Sequence, residues 1–263
     1  MPPTPRMNRL TPATRSTPGF VRHLLPAVLS TCAIGVCTPI SCPAADATPA
    51  AAPATSLASP PPKDSVVLWN GRDVTGWKIF LSDPAVEPHT IWSVADGVLH
   101  LVGKPNGYLH TEQTFSNYLL HVEWRWPAGA DPRSNSGVFV HVGGPDAIWP
   151  PGVECQLQAG NAGQLVGTGV DLPGAPVSNK KPRAPKLAAA SEKPFGEWNT
   201  YDIICRGDVI EVSVNGVRQN RVEKVSVKSG GIGLQMEGYP VDFRNLWLQP
   251  LPAADPAKTP PAR

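Results

Sequence analysis

Two stretches of this chain place a turn dipeptide between runs of alternating side chains. In the first, Asp96-Gly97 separates Trp92-Ser-Val-Ala from Val98-Leu-His-Leu; in the second, Asn215-Gly216 separates Val209-Ile-Glu-Val-Ser-Val from Val217. Asp-Gly and Asn-Gly supply the positive φ that a two-residue hairpin turn demands, and alternation sends successive side chains to opposite faces. The same period of two recurs at Tyr118–Trp126, Gly137–Val142, Trp198–Cys205, Gly231–Gln235 and Val241–Leu248, and no long stretch carries a helical period. About a dozen short strands with turn chemistry between them predict an all-β fold, an antiparallel β-sandwich in a single domain. Residues 171–194, rich in Pro, Lys and Ala, read as a long loop. Loops of that length are either functional or disordered, and the sequence leaves both readings open.

The ends of the 263-residue chain do not belong to that domain. Residues 1–47 read as an export signal: Arg6, Arg9, Arg15, Arg22 and His23 precede an apolar run from Leu24 to Ile40, and Ala45-Asp46-Ala47 offers a cleavage site. Met7 is an alternative start. Pro26 and Pro39 bracket an apolar run too short to span a bilayer. A lipid anchor at Cys32, Cys37 or Cys42 is the second reading, although none of the three has a good attachment context. Residues 48–63 form an Ala/Pro-rich linker, residues 64–251 the sandwich, and residues 252–263 a Pro/Ala-rich tail. This places the domain in the periplasm or outside the cell, with membrane contact only through the signal or a lipid anchor. A net charge of +2 without a basic run in the domain argues against a nucleic-acid partner. Cys155 and Cys205 are left within the domain, either as a disulfide or as two buried thiols. Two cysteines without clustered histidines make a poor zinc site. The expectation is no cofactor; calcium on the sandwich is the alternative, but no acidic loop cluster announces it.

The candidate site begins at Pro151-Gly152-Val153-Glu154-Cys155-Gln156-Leu157-Gln158. As a strand, it puts Glu154, Gln156 and Gln158 on one face and Val153, Cys155 and Leu157 on the other. A Gly- and Pro-rich run precedes it and Gln-Ala-Gly-Asn-Ala-Gly overlaps its end, so loops overhang this face. Trp149, just before the strand, is placed to stack on a sugar ring.

The residues also resemble a known family. Leu68-Trp69-Asn70-Gly71-Arg72-Asp73-Val74-Thr75-Gly76-Trp77 is similar to the opening of the 3-keto-disaccharide hydrolase domain. Later blocks follow in the family's order: Gly107-Tyr108-Leu109 with Thr111-Glu112, Glu123-Trp124-Arg125, Asn135-Ser136-Gly137, Glu154-Cys155-Gln156, Glu197-Trp198-Asn199, Asn215-Gly216, Gly233-Leu234-Gln235 and Phe243-Arg244-Asn245. The resemblance implies a concanavalin-like jelly roll, export, and hydrolysis of glycosides whose sugar is oxidised to a 3-ketone. Two departures stand out. The family often continues its E-x-Q with an acidic residue, and relatives tend to carry Ala-Gly-Asp where this chain has Ala162-Gly163-Gln164.

An ordinary glycosidase needs two carboxylates flanking the bond. This strand offers one, so a partner must come from Glu123, Glu237 or Asp242 on another strand. A 3-ketone relaxes the requirement, because it acidifies the hydrogen on C2. One base then suffices, with a cation near the oxygen where charge develops. Glu154 is the expected base and Arg125 or Arg244 the expected oxyanion partner. Asn135, Gln156 and Gln235 are expected to hold sugar hydroxyls, and Glu123, Glu237 and Trp149 to complete substrate binding. Structural alternatives stand beside these roles: Glu123 and Arg125 share a strand face and suit an ion pair, while Arg244 suits pinning the last strand. At the level of function, the alternatives are a non-catalytic carbohydrate-binding sandwich and an envelope scaffold.

Overall fold

The computed structural model describes residues 60–253. The expected export signal, most of the linker and the tail beyond 253 lie outside the described residues. In chain order the strands are β1 (Val66–Val67), β2 (Trp77–Leu81), β3 (Trp92–Ala95), β4 (Val98–Leu101), β5 (Gly107–Thr111) and β6 (Tyr118–Arg125). Then come β7 (Gly137–Val142), β8 (Gly152–Gln156), β9 (Leu165–Thr168), β10 (Val177–Ser178) and β11 (Lys181–Ala184). The last are β12 (Asn199–Arg206), β13 (Val209–Val214), β14 (Val217–Val222), β15 (Gly231–Met236) and β16 (Val241–Pro250). Among the described residues the one helical element is the short 3-10 turn Pro88–Thr90.

The strands form two sheets. The back sheet runs β14-β13-β12-β6-β16-β4-β3, with β1 added to β16; the front sheet runs β10-β11-β9-β8-β7-β15-β5-β2. Pairing is antiparallel throughout. The two hairpins read from sequence are present as β3–β4 and β13–β14, with positive φ at Asp96, Gly97, Asn215 and Gly216. The core lies between the sheets. Tyr118, Leu120, Val122 and Trp124 of β6 and Tyr201, Ile203 and Cys205 of β12 point into it from the back sheet. Val138 and Val140 of β7 and Val153 and Cys155 of β8 point into it from the front sheet. Each such large apolar side chain contributes about 1.5–3 kcal/mol. Cys155 and Cys205 are free thiols buried in this core, with no disulfide between them.

The long loop expected over residues 171–194 is partly a hairpin. Val177–Ser178 pairs with Lys181–Ala184 across a turn at Asn179 and Lys180, both with positive φ. The stretch that follows is strapped to the body by side chains. Asn220 Nδ2 donates to the carbonyls of Ala184 and Pro185, and Gln219 Nε2 to that of Ala189. Glu192 accepts from the backbone amides of Gly160 and Ala162. Buried backbone groups must find partners, and these side chains supply them where no ladder does.

Candidate active site

Because Val153 and Cys155 enter the core, Glu154 and Gln156 point out of the opposite face of the front sheet. Across the ladder, Gly137 of β7 faces Gln156 and Phe139 faces Glu154. Gly137 has no side chain to fill this place. A Cβ there would lie 2.9 Å from Glu154 Cγ, 3.1 Å from Glu154 Oε1 and 3.2 Å from Gln235 Oε1. The bare glycine thus gives the Glu154 and Gln235 side chains room above β7. Its neighbours in the Asn135-Ser136-Gly137 block have separate tasks: Ser136 Oγ donates to the Gln235 carbonyl at 2.8 Å, and Asn135 lines the cavity. Gly137→Ala is expected to cost the fold about 1–3 kcal/mol, since the buried Glu154 side chain must give way. With Glu154 as the expected base, its displacement should lower turnover of a 3-keto-glucoside about 10–100-fold; parallel urea melts and steady-state assays check both halves.

The cavity on this face measures about 440 Å³ and is walled by Glu154, Gln156, Asn135 and Trp149, by Lys181 and Arg183 of β11, and by Asn179, Gln158 and Glu237. Glu154 is only 4% exposed, and its Oε1 has no hydrogen-bond partner. Burial, with the charge of Glu237, pushes its pKa up to about 7, while Lys181 and Arg183 pull the other way. Burial also raises the Glu237 pKa, against the pull of the same two cations. Two further buried oxygens, Asn135 Oδ1 and Gln235 Oε1, lack donors. Gln156 Oε1 accepts from the amides of Leu157 and Gln158, which fixes its side chain. The cavity therefore presents a carboxyl poised near neutrality, a second carboxyl, two cations and oxygens waiting for donors. Hydroxyl groups on a sugar would satisfy the latter. Among the described residues no group of three or more His, Cys, Asp or Glu side chains is placed to hold a metal ion.

The structure joins Glu154, Gln156, Asn135, Trp149 and Glu237 at one cavity, with Gln235 beside Glu154. Arg125, Arg244, Glu123 and Asp242 are elsewhere, on the outer face of the back sheet. Leu120, Val122 and Trp124 take the core side of β6, so Glu123 and Arg125 emerge on the other. Arg244 Nε lies 2.6 Å from Glu123 and Arg125 Nε 2.8 Å from Asp242; both guanidiniums also pack on the Trp198 ring. The oxyanion role expected of Arg125 or Arg244 is corrected accordingly, as is substrate binding by Glu123: these groups are committed to ion pairs away from Glu154. Glu237 alone of the three candidate partner carboxylates lines the cavity. The cations that do face Glu154 are Lys181 and Arg183, which share a face of β11 by alternation.

The back-sheet network has its own pH signature. Burial alone would lower the His121 pKa, but its bond to Asp202 at 2.7 Å and the nearby Glu123 carboxylate raise it to about 9. The resulting stability is fully present below pH 6.5 and is lost as pH rises through 9. Wild type should lose on the order of 2 kcal/mol between pH 6 and 10 that His121→Gln does not lose, measured by urea unfolding across that range.

A two-sheet antiparallel sandwich with a buried carboxyl in a polar cavity on one outer sheet face is a jelly-roll domain. The family model described as "3-keto-alpha-glucoside-1,2-lyase-like domain" matches residues 64–249, and the chain belongs to that family. Among solved structures, a candidate glycosyl hydrolase from Parabacteroides distasonis ATCC 8503 shares 21% identity with a TM-score of 0.53, covering 72% of this chain and 94% of its own. A second candidate glycosyl hydrolase from the same organism shares 22% identity with a TM-score of 0.51, covering 71% of this chain and 99% of its own. These likenesses show the fold. No curated protein matches the sequence.

Proposed function

We propose that this domain is an exported enzyme, periplasmic or secreted, that cleaves the glycosidic bond of 3-keto-glycosides or 3-keto-disaccharides by elimination and hydration. The observation that carries this reading is Glu154: a buried carboxyl with an unpartnered oxygen and a pKa of about 7, facing two cations across a cavity. A carboxylate with that pKa accepts a carbon-bound proton at neutral pH far better than an ordinary one. Glu154 removes the hydrogen on C2, and the electron pair moves toward the C3 carbonyl. The C3 oxygen takes up negative charge beside Lys181 and Arg183. The enolate then collapses, its electrons form the C1–C2 double bond, and the bond from C1 to the departing oxygen breaks. Glu237 protonates that oxygen. Water adds to C1 of the enone and gives its proton to Glu237, while Glu154, its proton exchanged with solvent, protonates C2; both carboxyls are restored and the net reaction is hydrolysis.

Non-catalytic carbohydrate binding is the second reading. It is favoured by Trp149, 36% exposed at the cavity, and by the exposed amide of Gln158 beside it. A panel of 3-keto-glucosides with purified wild type and Glu154→Gln separates the two. Release of the C1 group by wild type and not by the variant supports the enzyme. Sugar binding without release by either supports the binding module.

A further inference from the structure

The segment between β7 and β8, residues 143–151, carries Trp149 to the cavity, and three features hold it. Its base is closed where the Gly143 amide donates to the Pro151 carbonyl at 3.0 Å. Gly144 takes a positive φ of 69°, and Pro150-Pro151 stiffen the return. Its middle is tied to the sheet, because Tyr108 Oη donates to Asp146 Oδ1 at 2.6 Å. Tyr108 itself is fully buried on the outer face of the front sheet, among Phe80, Phe139 and Val142, with its ring 5.5 Å from that of His110. His110 Nε2 lies 3.6 Å from the same Asp146 oxygen. A rigid ring in a packed cluster thus holds out one hydroxyl, and the loop hangs from it. At the far end, Lys181 Nζ sits 5.0 Å from the centroid of the Trp149 ring, which links the loop to the wall that faces Glu154.

We propose that Tyr108 and Asp146 form a latch whose task is to fix Trp149 as the recognition surface for the apolar face of a pyranose ring. Neither latch residue touches the substrate; both are positioning residues, and Trp149 is the contact. The proposal rests on the reading of this cavity as a sugar site. A tryptophan indole has a flat apolar face that suits the C–H face of a sugar, but a loop free to move would offer that surface in many orientations and bind weakly. The latch removes this freedom before substrate arrives.

The test uses Tyr108→Phe, Asp146→Ala, the pair combined, and Asp146→Asn, which keeps an oxygen for the hydroxyl. Two readouts are taken on the whole protein: kcat and KM for a 3-keto-glucoside, and hydrogen exchange of the amides in 144–149. Tyr108→Phe and Asp146→Ala should each raise KM about 5–10-fold with kcat within twofold, and the double variant should be no worse than either. Loop amides should exchange faster in all three, and Asp146→Asn should stay near wild type in both readouts. Unchanged loop exchange in Tyr108→Phe would overturn the latch. Faster exchange with unchanged KM, or a fall in kcat alone, would overturn its role in recognition. If wild type turns over no 3-keto-glucoside, the catalytic reading fails while loop exchange still decides the latch, and its recognition role is then decided by sugar affinity in the same variants.

Discussion

Glu154→Gln should lose turnover by about 10²–10⁴-fold, the contribution of a positioned general base, and yet should be more stable than wild type at pH 8. The second half follows from the raised pKa. In the unfolded chain Glu154 ionises at its ordinary value of 4.5, whereas in the fold burial holds it at about 7. The native state therefore binds the extra proton between those values, and stability falls as pH climbs through that window. Above pH 7 the fold carries the full cost of a buried charge, about 3 kcal/mol for a shift of this size. Glutamine carries no charge to bury. The variant should gain that amount at pH 8 and gain nothing at pH 4, in urea melts at the two values. An inactive but destabilised variant would instead mean that activity was lost with the fold. In wild type, kcat/KM should rise with pH through about 7 as the base deprotonates.

Lys181→Met and Arg183→Met should have the next largest effect. If the C3 oxygen becomes an enolate beside these cations, losing one donor should lower kcat about 10²–10³-fold with a smaller change in KM. The charge also acts on Glu154. Both cations hold its pKa down against burial, so removing either should move the acid limb of the pH–rate profile above its wild-type position. A rise in KM alone, with the profile in place, would make these residues ground-state binders and leave the developing oxyanion without a partner.

The sandwich is legible in the sequence because its hairpins carry their own punctuation. Asp96-Gly97 and Asn215-Gly216 announce turns that only a few residue types adopt easily, and the alternating flanks fix which side chains enter the core. The β10–β11 hairpin has neither signal. Its turn is Asn179-Lys180, without glycine, and its second strand contains Pro182 between Lys181 and Arg183. The alternation of those two cations about Pro182 was the available clue, and a proline in a short polar run hides it. The misplacement of Arg125 and Arg244 has a different origin. Alternation tells which side of its own strand a residue takes, but a sandwich has two outer faces, and only sheet order assigns a strand to one of them. Glu154 is on β8 in the front sheet; Glu123, Arg125 and Arg244 are on β6 and β16, neighbours in the back sheet. The ion pairs among them read from sequence as candidate structure, although the partners exchange: Glu123 takes Arg244 and Arg125 takes Asp242. Glu237 just after β15 and Asn135 just before β7 reach the cavity because both flank strands of the front sheet.

The proposed mechanism has Glu154 remove a carbon-bound proton rather than assist direct attack of water on C1. Turnover of a 3-keto-glucoside in deuterium oxide tests it most directly, with the product analysed for isotope at C2 and uncatalysed exchange subtracted. Elimination and hydration predict deuterium at C2 in the sugar released by wild type, at one atom per turnover. Release of the C1 group with hydrogen retained at C2 would contradict the mechanism and return Glu154 and Glu237 to the roles of an ordinary two-carboxylate hydrolase.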